Sequence, residues 1–257
     1  MDNTPTSPRL EILPEMVDGV LLVDKESGPT SHDVVDRIRR RFRFYKVGHG
    51  GTLDPQATGL LVILIGRGTK LSNRLIASDK RYEGTIRLGI ATDTQDAQGK
   101  VLQERDAAGV TREQLTEAMG RFAGDVLQTP PMVSAVKVDG VPLYKLARRG
   151  ETVERKPKLV HVYEFRLVDF ASPRGRFMLR CTKGTYVRTL CADVGEALGC
   201  GAHLEQLRRT RSGDLRLEDA VPMAEVLRMN LEEICRRIIP IGKVPLGPSP
   251  DVERGRG

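Results

Sequence analysis

Gly48-His49-Gly50-Gly51-Thr52-Leu53-Asp54-Pro55-Gln56-Ala57-Thr58-Gly59 runs directly into Leu60-Leu61-Val62-Ile63-Leu64-Ile65, and the fold of the chain turns on this stretch. The apolar run, closed by Gly66, is too short for a membrane span and predicts a strand buried on both faces. The loop before it therefore hangs from the core. Pro55 biases Asp54 toward an extended backbone, and Gly50 and Gly51 permit positive φ or close approach. Asp54 then has two readings. It is either the start of an Asp-Pro turn whose carboxylate caps its own backbone, or a carboxylate presented for chemistry on a rigid lip.

Upstream, Gly19-Val20-Leu21-Leu22-Val23 reads as a strand closed by the turn Ser27-Gly28-Pro29. Ser31 reads as the N-cap of a helix whose apolar face is Val34, Val35, Ile38 and Phe42. Arg37 to Lys46 carries six cations and no anion, which fits a solvated helix face or a surface for a polyanion. Downstream, Thr69–Ser78 predicts a short helix packing Leu71 and Leu75, and Tyr82–Leu88 a strand. Gly89–Gly99 is a loop carrying Asp93 and Asp96. Thr111 and Gln114 form a capping box for a helix with Leu115, Ala118, Met119 and Phe122 on one face.

From Asp125 to about Lys158 the chain is basic and marked by Pro130, Pro131, Pro142 and Pro157. It fits a projecting insertion or an ordinary surface hairpin plus short helix. Leu159–Phe170 and Arg176–Lys183 are strands joined by Ser172-Pro173-Arg174-Gly175. Lys183-Gly184-Thr185-Tyr186-Val187-Arg188 then leads into a helix with Leu190, Val194, Ala197 and Leu198 inward and Gly199 as its stop. Leu204, Leu207 and Arg208 to Arg211 follow, then a last helical stretch with Leu231, Ile234 and Ile238. The proline-marked ends predict a loose tail over 1–16 and another over 241–257, flanking one domain over 17–240.

The chain has 257 residues, with 41 Lys and Arg against 34 Asp and Glu, and a net charge of +7 favours a polyanionic partner. Cys181, Cys191, Cys200 and Cys235 match no zinc or redox spacing and read as reduced thiols. With no signal-like N-terminus and no apolar stretch of ~20 residues, no membrane association and a cytoplasmic location are expected. There is no phosphate-binding Gly-x-x-x-x-Gly-Lys-[Ser/Thr], no dinucleotide glycine motif and no Cys/His cluster, so neither a metal nor another cofactor is expected. What remains is a carboxylate on a glycine lip, a basic helix beside it, and aromatic and arginine residues at strand ends. An aspartate of this kind serves as nucleophile or general base, and the setting suits a flipped RNA base.

Five motifs in order carry a resemblance. They are Gly19 to Lys25 with Gly28-Pro29-Thr30-Ser31-His32; Gly48 to Pro55 with Ala57-Thr58-Gly59; Lys80-Arg81-Tyr82 with Leu88-Gly89 and Thr92-Asp93-Thr94; Lys183 to Arg188; and Gly199 to His203 with Leu207-Arg208-Arg209. Together they resemble the bacterial TruB-type tRNA pseudouridine-55 synthases over roughly residues 19 to 211.

The resemblance implies a mixed α/β pseudouridine-synthase fold, an antiparallel-rich central sheet with flanking helices and a basic thumb insertion at about 125–158. It implies isomerisation of uridine 55 in the T loop of tRNA by a monomer. Asp54 matches the catalytic aspartate, Arg188 its arginine partner, and Tyr82 the tyrosine that stacks on the base and takes part in proton transfer. Tyr186 and Leu207 match residues of the uracil pocket, and His49 one that contacts the opened T loop. Lys25, Asp93 and Asp96 are expected behind them. A two-carboxylate glycosidase would set Asp93 or Asp96 opposite Asp54 as acid, and the resemblance argues against that. The glycines beside Asp54 are expected to let a flipped nucleotide approach the backbone. Bacterial relatives continue into a small RNA-binding PUA domain, which is not expected complete in this chain. An RNA-binding or tRNA-folding protein with secondary catalysis is the alternative.

Overall fold

The computed structural model describes residues 13–246 except 135, 139 and 152. β1 (Gly19–Lys25) leads to α1 (Ser31–Phe42), β2 (Val47–His49) and β3 (Thr58–Ile65). β1 and β3 pair antiparallel from Gly19–Ile65 to Lys25–Gly59, and β2 pairs with the far half of β3. Leu61, Ile63 and Ile65 face Val34, Ile38 and Phe42 of α1. Leu60, Val62 and Leu64 face the other way, onto Leu75 of α2 (Ser72–Ala77). The apolar run is thus buried on both faces, each side chain contributing about 1.5–3 kcal/mol relative to exposure.

α1 begins one residue earlier than predicted. Thr30 is the N-cap and forms a capping box with Asp33. Ser31 is instead committed to the key loop, where its hydroxyl accepts from the Leu53 N–H at 2.8 Å and donates to the Leu53 carbonyl at 3.0 Å. The exposed side of the helix carries Arg37, Arg39, Arg40 and Arg41, as its periodicity requires.

The second half of the sheet starts with β4 (Lys80–Leu88), followed by the small ladder of β5 (Ile90–Thr92) and β6 (Val101–Glu104). α3 (Arg112–Gly120), capped by Thr111 and Gln114, precedes β7 (Gly124–Gln128). Asp125 to Gln128 therefore belong to the sheet rather than to an insertion, because β7 pairs with the start of β10 (Lys158–Ala171). Between them lie β8 (Lys137–Val138), β9 (Val141–Pro142) and α4 (Leu143–Arg148), a hairpin and short helix outside the main sheet. β11 (Arg174–Cys181) and α5 (Val187–Ala197) follow. In α5, Leu190, Cys191, Val194 and Gly195 are buried, whereas Ala197 is exposed, contrary to the expected inward face.

β12 (Ala202–Ser212) is an eleven-residue central strand where the sequence had suggested none. Its polar, arginine-rich pattern conceals it, since Arg209 occupies a core position. After β13 (Leu215–Arg216), β14 (Val221–Pro222), α6 (Met223–Val226) and α7 (Leu231–Arg237), Val244 and Leu246 still pack on the core, past the boundary expected at 240. The expected N-terminal tail lies mostly outside the described residues.

The sheet runs β14-β1-β3-β12-β4-β11-β10-β7, with β13 on β12 and β2 on β3. It is antiparallel except at β1–β14 and at the β3–β12 join, where the register shows only Arg208 with Thr58 and Arg209 with Gly59. One helical layer covers the β1–β3 half and another, α3 with α5, covers the β4–β11 half, and Tyr82 and Leu207 pack against both cores.

Gly59 has φ +96°, and a Cβ there would overlap the Arg209 backbone. Gly59→Ala is expected to cost at least about 2 kcal/mol, from positive φ and overpacking together. Gly48→Ala, whose Cβ would meet Thr69 at an ordinary 3.7 Å, is expected to stay within ~0.5 kcal/mol. Urea denaturation of both variants checks the difference.

Candidate active site

The loop carrying Asp54 leaves the sheet at the β3–β12 join. Ala57 N–H bonds the Asp54 carbonyl at 3.0 Å, so Asp54 does open an Asp-Pro turn. Its carboxylate does not cap that turn. It meets Arg188 Nε at 2.9 Å, the arginine being 3% exposed and the aspartate side chain 40%. A half-open carboxylate on a buried guanidinium is held in aim yet accessible from one side.

Arg188 sits in the first turn of α5 and spends its other donors on a buried carboxylate and two backbone carbonyls. One terminal nitrogen lies 3.3 Å from Asp96 Oδ2 and 3.0 Å from the Thr94 carbonyl, and the other donates to the Val133 carbonyl at 2.9 Å. Asp96 is itself fixed, its Oδ1 accepting from Thr94 Oγ1 at 2.7 Å and the Gln98 N–H at 3.0 Å. Asp54 and Asp96 thus share one cation rather than facing each other across a substrate. Burial raises the Asp54 carboxyl above its ordinary 3.8; Arg188 pulls it down and Asp96 pushes it up.

Lys25, 1% exposed, donates to the Glu26 carbonyl at 2.7 Å and the Pro55 carbonyl at 2.9 Å, fixing the residue after Asp54. Burial brings its ammonium down to about 8. Asp93 does not join this group. Its carboxylate accepts the Lys100 N–H at 2.8 Å and closes its own turn.

A cavity of about 250 Å3 opens beside Asp54, walled by Tyr82, Tyr186, Leu207, Arg188, Arg209 and Lys80 among others. The structure therefore gathers Asp54, Tyr82, Arg188, Tyr186 and Leu207 around one space. Burial pushes the Tyr82 phenol up to about 12 against the pull of Arg209, so its resting form at neutral pH is the neutral phenol. Burial also raises Tyr186. His49 stands outside this lining, on β2, where Nδ1 accepts the Gly51 N–H at 3.4 Å. Burial lowers it from its ordinary 6.5, leaving a neutral ring able to accept that bond.

Two wall residues had not been singled out in the sequence. Arg209, 1% exposed, donates from Nε to the Leu60 carbonyl at 2.7 Å, and from its terminal nitrogens to the carbonyls of Thr52 at 3.2 Å and Gly51 at 3.1 Å. It ties β12 to both β3 and the loop carrying Asp54. Lys80 donates to the carbonyls of Leu75, Ile76 and Ser78 at 3.0, 3.2 and 2.5 Å, closing the end of α2. Their place in the motifs Leu207-Arg208-Arg209 and Lys80-Arg81-Tyr82 was the available signal. Their burial was not, because Lys and Arg are ordinarily exposed.

Two of the glycines face the protein rather than the cavity. A Cβ on Gly50 would press on Leu75 at 3.1 Å, and Gly59 lies against the Arg209 backbone, so both serve the protein's own packing. Gly51, at φ +140°, faces the cavity.

This fold is shared with chains of solved multi-component complexes. A chain of a Cbf5-Nop10-Gar1 complex superposes with TM-score 0.70 at 28% identity, over 94% of this chain and 68% of that one. A chain of an H/ACA RNP bound to a substrate RNA containing 2'-deoxyuridine does so with TM-score 0.66 at 25% identity, over 93% and 66%. Residues 39–187 match the family described as TruB family pseudouridylate synthase, N-terminal domain, and residues 188–243 match the tRNA pseudouridylate synthase B C-terminal domain. The tRNA pseudouridine synthase B of Opitutus terrae is 53% identical over 88% of this chain and 93% of its own length. That of Burkholderia mallei is 47% identical over 93% and 76%. The chain belongs to the TruB family of pseudouridylate synthases, enzymes that act on RNA.

The carboxyl titration of Asp54, followed by 13C NMR, is expected above 3.8 in the wild type. Arg188→Gln removes the cation that lowers it and moves the titration higher; Asp96→Asn removes the anion that raises it and moves it lower. Shifts in the same direction for both variants would contradict the shared-cation arrangement.

Proposed function

We propose that this protein isomerises uridine 55 in the T loop of tRNA to pseudouridine, with Asp54 as the nucleophile. The observation that carries this reading is the Asp54–Arg188 pair at 2.9 Å on the rim of the Tyr82–Tyr186–Leu207 cavity. The names of the Opitutus and Burkholderia relatives support tRNA as the RNA. A cavity of about 250 Å3 suits one extruded base, since ordinary ligand pockets start near ~300 Å3.

In this reading the uridine leaves its stack and enters between Tyr82 and Leu207. The ionised Asp54 attacks, at C1′ of the ribose or C6 of the ring, and either route needs the carboxylate deprotonated. The N1–C1′ bond breaks, the ring reorients in the cavity, C5–C1′ forms, the bond to Asp54 is released to restore the carboxylate, and the proton lost from C5 is balanced by one taken up at N1. The uracil keeps its electrons throughout, so the reaction is redox-neutral and draws on no cofactor. Arg188 holds the carboxylate in position and offsets part of its desolvation. Tyr82, neutral at rest, stacks on the ring and accepts a proton only by passing on its own.

The basic face of α1, with Arg37, Arg39 and Arg40 exposed, and the segment between β7 and β10 would grip the phosphates of the T arm. The enzyme would work as a cytoplasmic monomer on the tRNA alone. His49 would meet the opened T loop from β2, just outside the base cavity.

Wild-type protein is expected to release tritium from 5-3H-uridine in a T-arm stem-loop, without a guide RNA or added protein. Asp54→Asn should reduce release by at least about 10³-fold. Activity retained in that variant would overturn the role of Asp54, and a wild type inactive on the hairpin would overturn the substrate.

A further inference from the structure

α5 carries Arg188 in its first turn, yet its N-cap residue Tyr186 has no side-chain cap. The helix start is gripped from outside instead. Gln128, the last residue of β7 and 2% exposed, accepts the Tyr186 N–H on Oε1 at 2.9 Å and donates from Nε2 to the Tyr186 carbonyl at 3.2 Å. One side-chain amide thus pairs with the backbone of Tyr186 as a neighbouring strand would. Five residues further on, the Val133 carbonyl takes a terminal nitrogen of Arg188 at 2.9 Å. The short link leaving β7 therefore holds the turn Tyr186–Arg188 at two points, one on the cavity wall and one on the partner of Asp54.

We propose that Gln128 is a positioning residue for the isomerisation, setting Tyr186 against the base and Arg188 against Asp54 through its paired bonds to the Tyr186 backbone. The inference rests on the reading in which Asp54 attacks with Arg188 at its side. The chemistry selects glutamine. Both a donor and an acceptor are needed at this reach, Glu supplies only the acceptor, and an apolar residue leaves the half-buried N–H and carbonyl of Tyr186 without this partner. A shift of the turn by ~1 Å would move both Tyr186 and Arg188 and is enough to cost ~10²-fold in rate.

The test compares wild type, Gln128→Met and Gln128→Glu in single-turnover tritium release, with RNA affinity, thermal melting and the Asp54 carboxyl titration measured alongside. Gln128→Met, similar in length, should lower the single-turnover rate roughly 10²-fold while RNA affinity changes less than about threefold. Gln128→Glu, retaining the acceptor for Tyr186 N–H, should lose less. The Asp54 titration should move up in Gln128→Met as Arg188 withdraws. A rate within about threefold of wild type, or a loss that vanishes after correction for the folded fraction with the Asp54 titration unmoved, would overturn the proposal. If wild type itself releases no tritium, the function is what fails, and the Asp54 titration still decides whether Gln128 positions Arg188.

Discussion

The join between β3 and β12 is the contact on which the rest of the molecule depends. Two sheet halves, each with its own helical cover, meet there through a parallel register of two residues on each strand. So short a ladder supplies few backbone hydrogen bonds, and Arg209 makes up the difference with side-chain bonds to Leu60, Thr52 and Gly51. Gly59 makes the approach possible by having no Cβ to meet the Arg209 backbone. The Asp54 loop, Tyr82 and Leu207 all lie at this join, which is why the cavity opens there.

Two buried arginines hold the site, and each is tolerable only because its donors are satisfied. Arg209 donates to three backbone carbonyls and interacts with the Tyr82 hydroxyl, and burial pulls it below its ordinary value. Arg188 has two carboxylates and two carbonyls. Removing one partner from such a set costs more than making the set gains, because the remaining charge stays desolvated. The arrangement offsets part of the burial that raises the Asp54 carboxyl, while leaving one side of it open to the cavity.

The site residues differ in how local their placement is. Asp54 sits on a turn that its own Pro55 and Ala57 define, and Ser31 and Lys25 reach in from the preceding strand and helix to pin Leu53 and Pro55. Arg188 and Tyr186 depend on contacts from far along the chain, at Thr94, Asp96, Gln128 and Val133. Asp93 and Asp96 show the same contrast. Three residues apart, one closes its own turn on Lys100 and the other reaches a guanidinium ninety-two positions away.

From the sequence alone came the doubly buried strand Leu60–Ile65, the amphipathic α1, the capping box at Thr111 and the ordered motifs that single out Asp54, Tyr82, Arg188, Tyr186 and Leu207. These are legible because periodicity, proline and capping act within a few residues. Only the tertiary structure decided that Ala202–Ser212 is a central strand, that Arg209 and Lys80 are interior, that Ser31 pins the loop instead of capping its helix, and that Gly50 and Gly59 fit the protein's own packing. Each of these depends on a partner distant in sequence, and a polar residue's burial is set by the donors and acceptors that the fold brings to it, not by its neighbours along the chain.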